Sequence, residues 1–140
     1  MDRTPDATPD DDVEAFTHAF LRAFEDLDLP RFIACFADDA SAFFPAPEPP
    51  RRVDSRAAIE RRFAQVFAAI RAGAGGGPPW HRLEAQALRT RRLAPGVALV
   101  TFELHNPERL ARRTLVLQHR DDGWRIAHLH ASNGAPDHAE

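Results

Sequence analysis

His128 and His130 stand two apart near the end of the chain, in the string His128-Leu129-His130-Ala131-Ser132. Imidazole changes charge near neutral pH, so such a pair is suited to acid–base catalysis, to polar anchoring of a ligand, or to metal ligation. Residues two apart on a strand point the same way, which places both rings on one face. Strand pairing predicts that Arg113 and Ser132 join them there. An arginine fork is built to hold a carboxylate, and a serine hydroxyl can bond an imidazole. A structural or catalytic metal site takes three or more protein ligands; no third is placed on that face, so metal ligation is the lesser reading and no metal is expected. A plainer reading stands beside this one: the imidazoles are satisfied polar groups where a core meets water, and Arg113 is half of a salt bridge.

What the chain lacks narrows the chemistry further. All eighteen basic residues are arginine, which removes Schiff-base chemistry and the lysine-containing phosphate loop. There is no tyrosine, so no tyrosyl acid or oxyanion donor exists. The net charge is −3, and the arginines are scattered as pairs such as Arg51–Arg52 and Arg112–Arg113, so no nucleic-acid partner is expected. Cys35 is the single cysteine and reads as a small buried hydrophobe. No apolar run approaches the roughly 18–20 residues of a membrane span. Met1 to Asp12 is acidic and proline-dotted, unlike a secretory leader, so a cytoplasmic location is expected. No cofactor is expected.

These groups need a scaffold, and 140 residues at 44% hydrophobic and 28% charged supply one domain. It is expected over 10–133, between a disordered tail at 1–9 and a second tail at 134–140. Thr8-Pro9-Asp10-Asp11 starts a helix whose apolar face is Val13, Phe16, Phe20, Phe24 and Leu27. A short second helix from Leu29-Pro30 carries Ile33 and Phe36 and ends near Asp38-Asp39, before a short strand at Ala40 to Phe44. Asp54 or Ser55 caps a third helix with Ile59, Phe63, Val66, Phe67 and Ile70 on one side. A glycine-rich loop, Ala72 to Pro79, precedes four strands: Trp80 to Arg92, Val97 to His105, Arg109 to Arg120 and Trp124 to Ser132. Helices followed by a meander predict an α+β fold, a curved, mostly antiparallel sheet covered on one face by three N-terminal helices.

Register decides which side chains meet. A two-residue turn at Asp122-Gly123 pairs Asp121 with Trp124, Leu117 with His128, Leu115 with His130 and Arg113 with Ser132. A four-residue connection, Asn106-Pro107-Glu108-Arg109, pairs His105 with Leu110. The face toward the helices then holds Val100, Phe102, Leu104, Leu115, Leu117, Trp124 and Ile126, with His128, His130, Ser132 and Arg113 toward one end, where the core opens as a pocket. Trp80 either closes that pocket or belongs to the core, Asp39 either faces it or serves as a turn or cap residue, and Phe102 and Leu115 line it. The opposite face, with Thr101, Glu103, His105, Arg112, Thr114, Val116, Leu129 and Ala131, is too mixed for a core and too apolar for free solvent. It suits a homodimer interface.

The element order, the FADDA string at Phe36 to Ala40 and the closing DGWRIAHLHAS at Asp122 to Ser132 carry a resemblance. The chain resembles the nuclear transport factor 2-like superfamily, in its polyketide-cyclase SnoaL-like and ketosteroid-isomerase-like branches, over Val13 to Ser132. The closing string also looks like the end of a calcium/calmodulin-dependent kinase association domain. The resemblance implies a cone of bent sheet and three helices, a pocket inside and a homodimer. It implies a small, largely hydrophobic ligand, with isomerase- or cyclase-type acid–base catalysis falling to His128 and His130; the alternative is a non-enzymatic association module. Steroid isomerases of the family carry a catalytic aspartate on the first short strand, just before a proline. Here the residue before Pro45 is Phe44, and no tyrosine is present for their oxyanion hole, so that mechanism is excluded.

Overall fold

The computed structural model describes residues 9–45, 51–73, 83–106 and 109–134. Helix α1 spans Pro9–Glu25 and α2 spans Leu29–Ala34. Val13, Thr17, Phe20 and Leu21 of α1 are buried at three- and four-residue spacing, as an amphipathic helix requires. Thr17 satisfies its buried hydroxyl on the carbonyl of Val13 at 2.9 Å. Asp28 caps α2 by accepting the backbone N–H of Arg31 at 3.2 Å. Helix α3 covers Arg56–Gly73. Ser55 is its cap, its Oγ accepting from the N–H of Ala58 at 3.1 Å, whereas Asp54 turns to the Arg52 guanidinium at 3.0 Å.

Phe32 is the hub of the helical layer. It stacks on Phe20 at 4.8 Å and meets Phe63, Phe67, Phe36 and Phe24 at 4.6, 5.3, 5.5 and 5.8 Å between ring centres. Phe36, expected in the second helix, instead opens strand β1, Phe36–Phe43. The remaining strands are β2, Arg52–Val53; β3, Ala85–Ala94; β4, Val97–Asn106; β5, Arg109–Arg120; and β6, Gly123–Gly134. The described strands form one sheet in the order β2-β1-β6-β5-β4-β3, antiparallel throughout except where β1 runs parallel to β6. The result is the expected α+β cone, an open curved sheet with three helices. The two-residue β2 was not expected.

The β4–β5 register agrees with the alternation, His105 pairing with Leu110 and Val100 with Leu115. The β5–β6 hairpin does not. The turn residues are Asp121 and Asp122, so Arg120 pairs with Gly123 and His119 with Trp124. Gly123 takes φ +123°, a conformation open to glycine and strained for other residues. Asp122 pins the turn by accepting from Arg125 at 2.8 Å. Leu117 therefore pairs with Ile126, but Val116 pairs with His128: Ala127 is one extra residue, a β-bulge. Strand β1 is irregular at the same level, between Phe36 and Ser41. Irregularities on adjacent strands bend the sheet over the helices, and the bulge reverses which side chains of β6 point inward.

Candidate functional site

The bulge decides the geometry of the site. Before it, Trp124 and Ile126 point toward the helices; after it, Leu129 and Ala131 do, at 3% and 6% exposure. His128, His130 and Ser132 fall on the outer face of the sheet. The expected inward imidazoles are corrected accordingly, as are the Leu117–His128, Leu115–His130 and Arg113–Ser132 pairings. Their physical cause is the extra residue together with the one-residue shift of the turn.

On the outer face His128 is half-buried and His130 exposed. Ser41 Oγ lies 2.7 Å from His128 Nδ1. Phe43 packs against both rings at 5.7 and 5.3 Å, and the Arg52 guanidinium lies over Phe43 at 5.1 Å. Burial holds the His128 pKa below its ordinary value, helped by His130 and Arg52; Asp54 and the Ser41 hydrogen bond pull the other way. Ser41, Phe43 and Arg52 were not singled out from the sequence, because parallel pairing of β1 with β6 has no local sequence signal.

The inner face reads in rows across the sheet. Ala98, Leu117, Ile126 and Phe36 form one row, and Val100, Leu115, Leu129 and Ala42 the next. Phe102, Arg113 and Ala131 form a third, and Leu104 with Ala111 a fourth. Arg113 is thus on the expected face, half-buried, beside Phe102 at 3% exposure and next to the row of Leu115 at 0%. Its Nη1 donates to the carbonyls of Arg112 and Ser132 at 3.0 and 3.3 Å, which fixes the fork in place. Nearby, the Arg62 guanidinium covers the buried Phe44 ring at 4.8 Å. At the turn end of the same face, Arg92 lies over Trp124 at 4.9 Å. Among the described strand residues the inner face carries no carboxylate. It can bind apolar groups and neutralise an anionic oxygen, but it offers no acid–base pair beside Arg113.

Asp39 does not face the cone; it is exposed and bonds Arg120 at 3.4 Å. Trp80 lies outside the described residues. Cys35 is partly buried, and burial pushes its thiol up to about 11, against the pull of Arg125 and Arg31, so it is protonated at neutral pH and unsuited to nucleophilic work. A separate groove of about 460 Å³ between α1 and the start of β3 is lined by His18, Leu21, Arg22, Glu25 and Leu83, with Glu25 accepting the Leu83 N–H at 2.7 Å. Among the described residues no helix is long and apolar enough to cross a membrane.

Comparison with known proteins meets this geometry. Solved structures of similar shape include an NTF2-like protein of unknown function from Pseudomonas putida, at 21% identity and a TM-score of 0.72, covering 87% of this chain and 84% of that one. A ketosteroid isomerase-like protein from Erwinia carotovora aligns at 17% identity and 0.67, covering 90% and 96%. A proposed calcium/calmodulin-dependent protein kinase type II association domain from Thiobacillus denitrificans aligns at 28% and 0.63, covering 85% and 92%. No curated protein matches the chain. The SnoaL-like domain model matches residues 13–136, from the first buried residue of α1 to just past β6. The chain therefore belongs to the SnoaL-like domain family and shares the fold of the NTF2-like structures.

Proposed function

We propose that this SnoaL-like domain binds a small, largely hydrophobic molecule carrying a carboxylate or similar anionic oxygen, held between the helices and the inner face of the sheet. The supporting observation is Arg113, a half-buried guanidinium in the row of Phe102 and Ala131, between the apolar rows of Leu115 and Ala111. Charged groups are seldom placed in such surroundings without a task. Phe102 pairs with Arg113 across β4 and β5, Ala131 pairs with it across β5 and β6, and Leu115 and Ala111 stand two residues to either side of it on β5. With the imidazoles on the other face, His128 and His130 have no part in this site. A thermal-shift screen of aromatic and alicyclic carboxylates tests it. A hit at 100 times its Kd stabilises by about 2.7 kcal/mol, a rise of about 9 °C for a domain of this size. Arg113→Leu should weaken that hit about tenfold or more, the loss of a charge-assisted hydrogen-bond pair, while His128→Ala leaves it intact. A shift that survives in Arg113→Leu, or vanishes in His128→Ala, overturns the reading.

The outer face supports a second reading, association with another copy of the chain. Leu99, Thr101, Thr114 and Val116 form an uncharged centre on β4 and β5, with Arg89 and Arg91 on one margin and Arg52 with Asp54 on the other. An uncharged centre within a charged rim is the anatomy of a protein interface. An antiparallel meeting of two copies would set the arginine margin of one over the Asp54 margin of the other. The similarity to an association domain agrees with oligomerisation. Sedimentation velocity should give a dimer for the wild type and a monomer for Thr114→Arg; a monomeric wild type at about 50 μM, well above the Kd of a standard-sized interface, contradicts it.

A further inference from the structure

The outward turn of β6 creates something that the inward arrangement would not. His128 and His130 leave the strand side by side, their ring centres 6.5 Å apart and their planes at 74°. Two imidazoles on one tetrahedral zinc, with Zn–N of about 2.0–2.1 Å, place their ring centres about 5 Å apart. Small side-chain rotations close that difference, and His130, being exposed, is free to make them. Ser41 occupies Nδ1 of His128 at 2.7 Å and so presents Nε2 as the nitrogen left for a ligand. A hydrogen bond of this kind orients metal-binding imidazoles. Phe43 shields one side of both rings.

We infer that His128 and His130 form a two-imidazole chelate for a divalent transition ion of the copper, nickel and zinc class, with solvent in the remaining positions. Nitrogen donors select that class over calcium and magnesium, which take oxygen. Among the described residues no third histidine, cysteine, aspartate or glutamate joins the pair in a metal-holding group, so the chain supplies two ligands and no more. Arg52 above Phe43 opposes a cation, and Asp54, bonded to Arg52 at 3.0 Å, offsets it. The inference concerns a single chain and rests on neither reading given above.

Calorimetric titration of the full chain with zinc chloride, in a buffer that does not bind zinc, tests it. One zinc per chain is expected. His130→Ala should weaken binding about 30-fold, since a lone imidazole remains, and Ser41→Ala about tenfold through loss of the orienting bond. Both positions are on the sheet exterior, and circular dichroism will show the variants folded. His105→Ala should change nothing, although His105 pairs with Glu103 at 2.9 Å on the same face. Absence of saturable binding, or wild-type affinity in His130→Ala, overturns the inference.

Discussion

Phe32→Ala is expected to lower the unfolding free energy by about 3–5 kcal/mol, the usual cost of emptying a fully buried aromatic site. Phe32 is 1% exposed and touches five other phenylalanine rings drawn from α1, β1 and α3. None of those five can collapse into the space without leaving its own partners, so little of the cavity relaxes away. The loss is about a fifth or more of what a domain of this size has to spare, since native stabilities run about 5–15 kcal/mol. Urea denaturation followed by tryptophan fluorescence measures it. Leu93→Ala, at a side chain 50% exposed, should stay within about 0.5 kcal/mol of wild type. Equal effects at the two positions would mean that the ring cluster is not the centre of the helical layer.

Much of the fold was legible because its signals are local. Apolar residues three and four apart, phenylalanines foremost, specify α1 and α3, a cap at Asp54 or Ser55 follows from their position ahead of an apolar run, with the structure selecting Ser55, and the four long strands alternate and break at turn residues. The His105–Leu110 pairing also followed, although the ladder runs one pair further than expected, to Asn106 and Arg109. What was not legible depends on distant partners. Phe36 looks helical by spacing but is claimed by β6, pairing with Ile126, whose N–H donates to the Cys35 carbonyl at 2.7 Å. Strand β2 has two residues and exists only because Ala42 and Phe43 offer an edge.

The imidazoles were placed on the wrong face by one residue, and the sequence did contain the warning. A strict alternation from Trp124 and Ile126 continues to His128 and His130, polar groups assigned to an apolar face. The apolar residues instead run Trp124, Ile126, Leu129, Ala131, and the step of three between Ile126 and Leu129 is a break in the period of two. Such a phase break is how a bulge looks in a sequence. Reading it would have sent the imidazoles outward and left Arg113 as the polar group of the inner face beside Phe102 and Leu115. Asp39 was misjudged for a related reason: the irregular stretch of β1 between Phe36 and Ser41 turns it out to Arg120.

The central claim is therefore that Ala127 rotates the end of β6, burying Leu129 and exposing His130. Leu129→Glu and His130→Glu, compared side by side by near-ultraviolet circular dichroism and urea unfolding, test it most directly. Leu129 is 3% exposed and pairs with Leu115 and Ala42, both 0% exposed, so a carboxylate there has no partner and no water. A penalty above about 4 kcal/mol is expected, enough to leave that variant largely unfolded. His130→Glu puts a charge on the exterior and should stay folded within about 1 kcal/mol of wild type. The opposite order, a folded Leu129→Glu and an unfolded His130→Glu, would return the imidazoles to the interior and contradict the account.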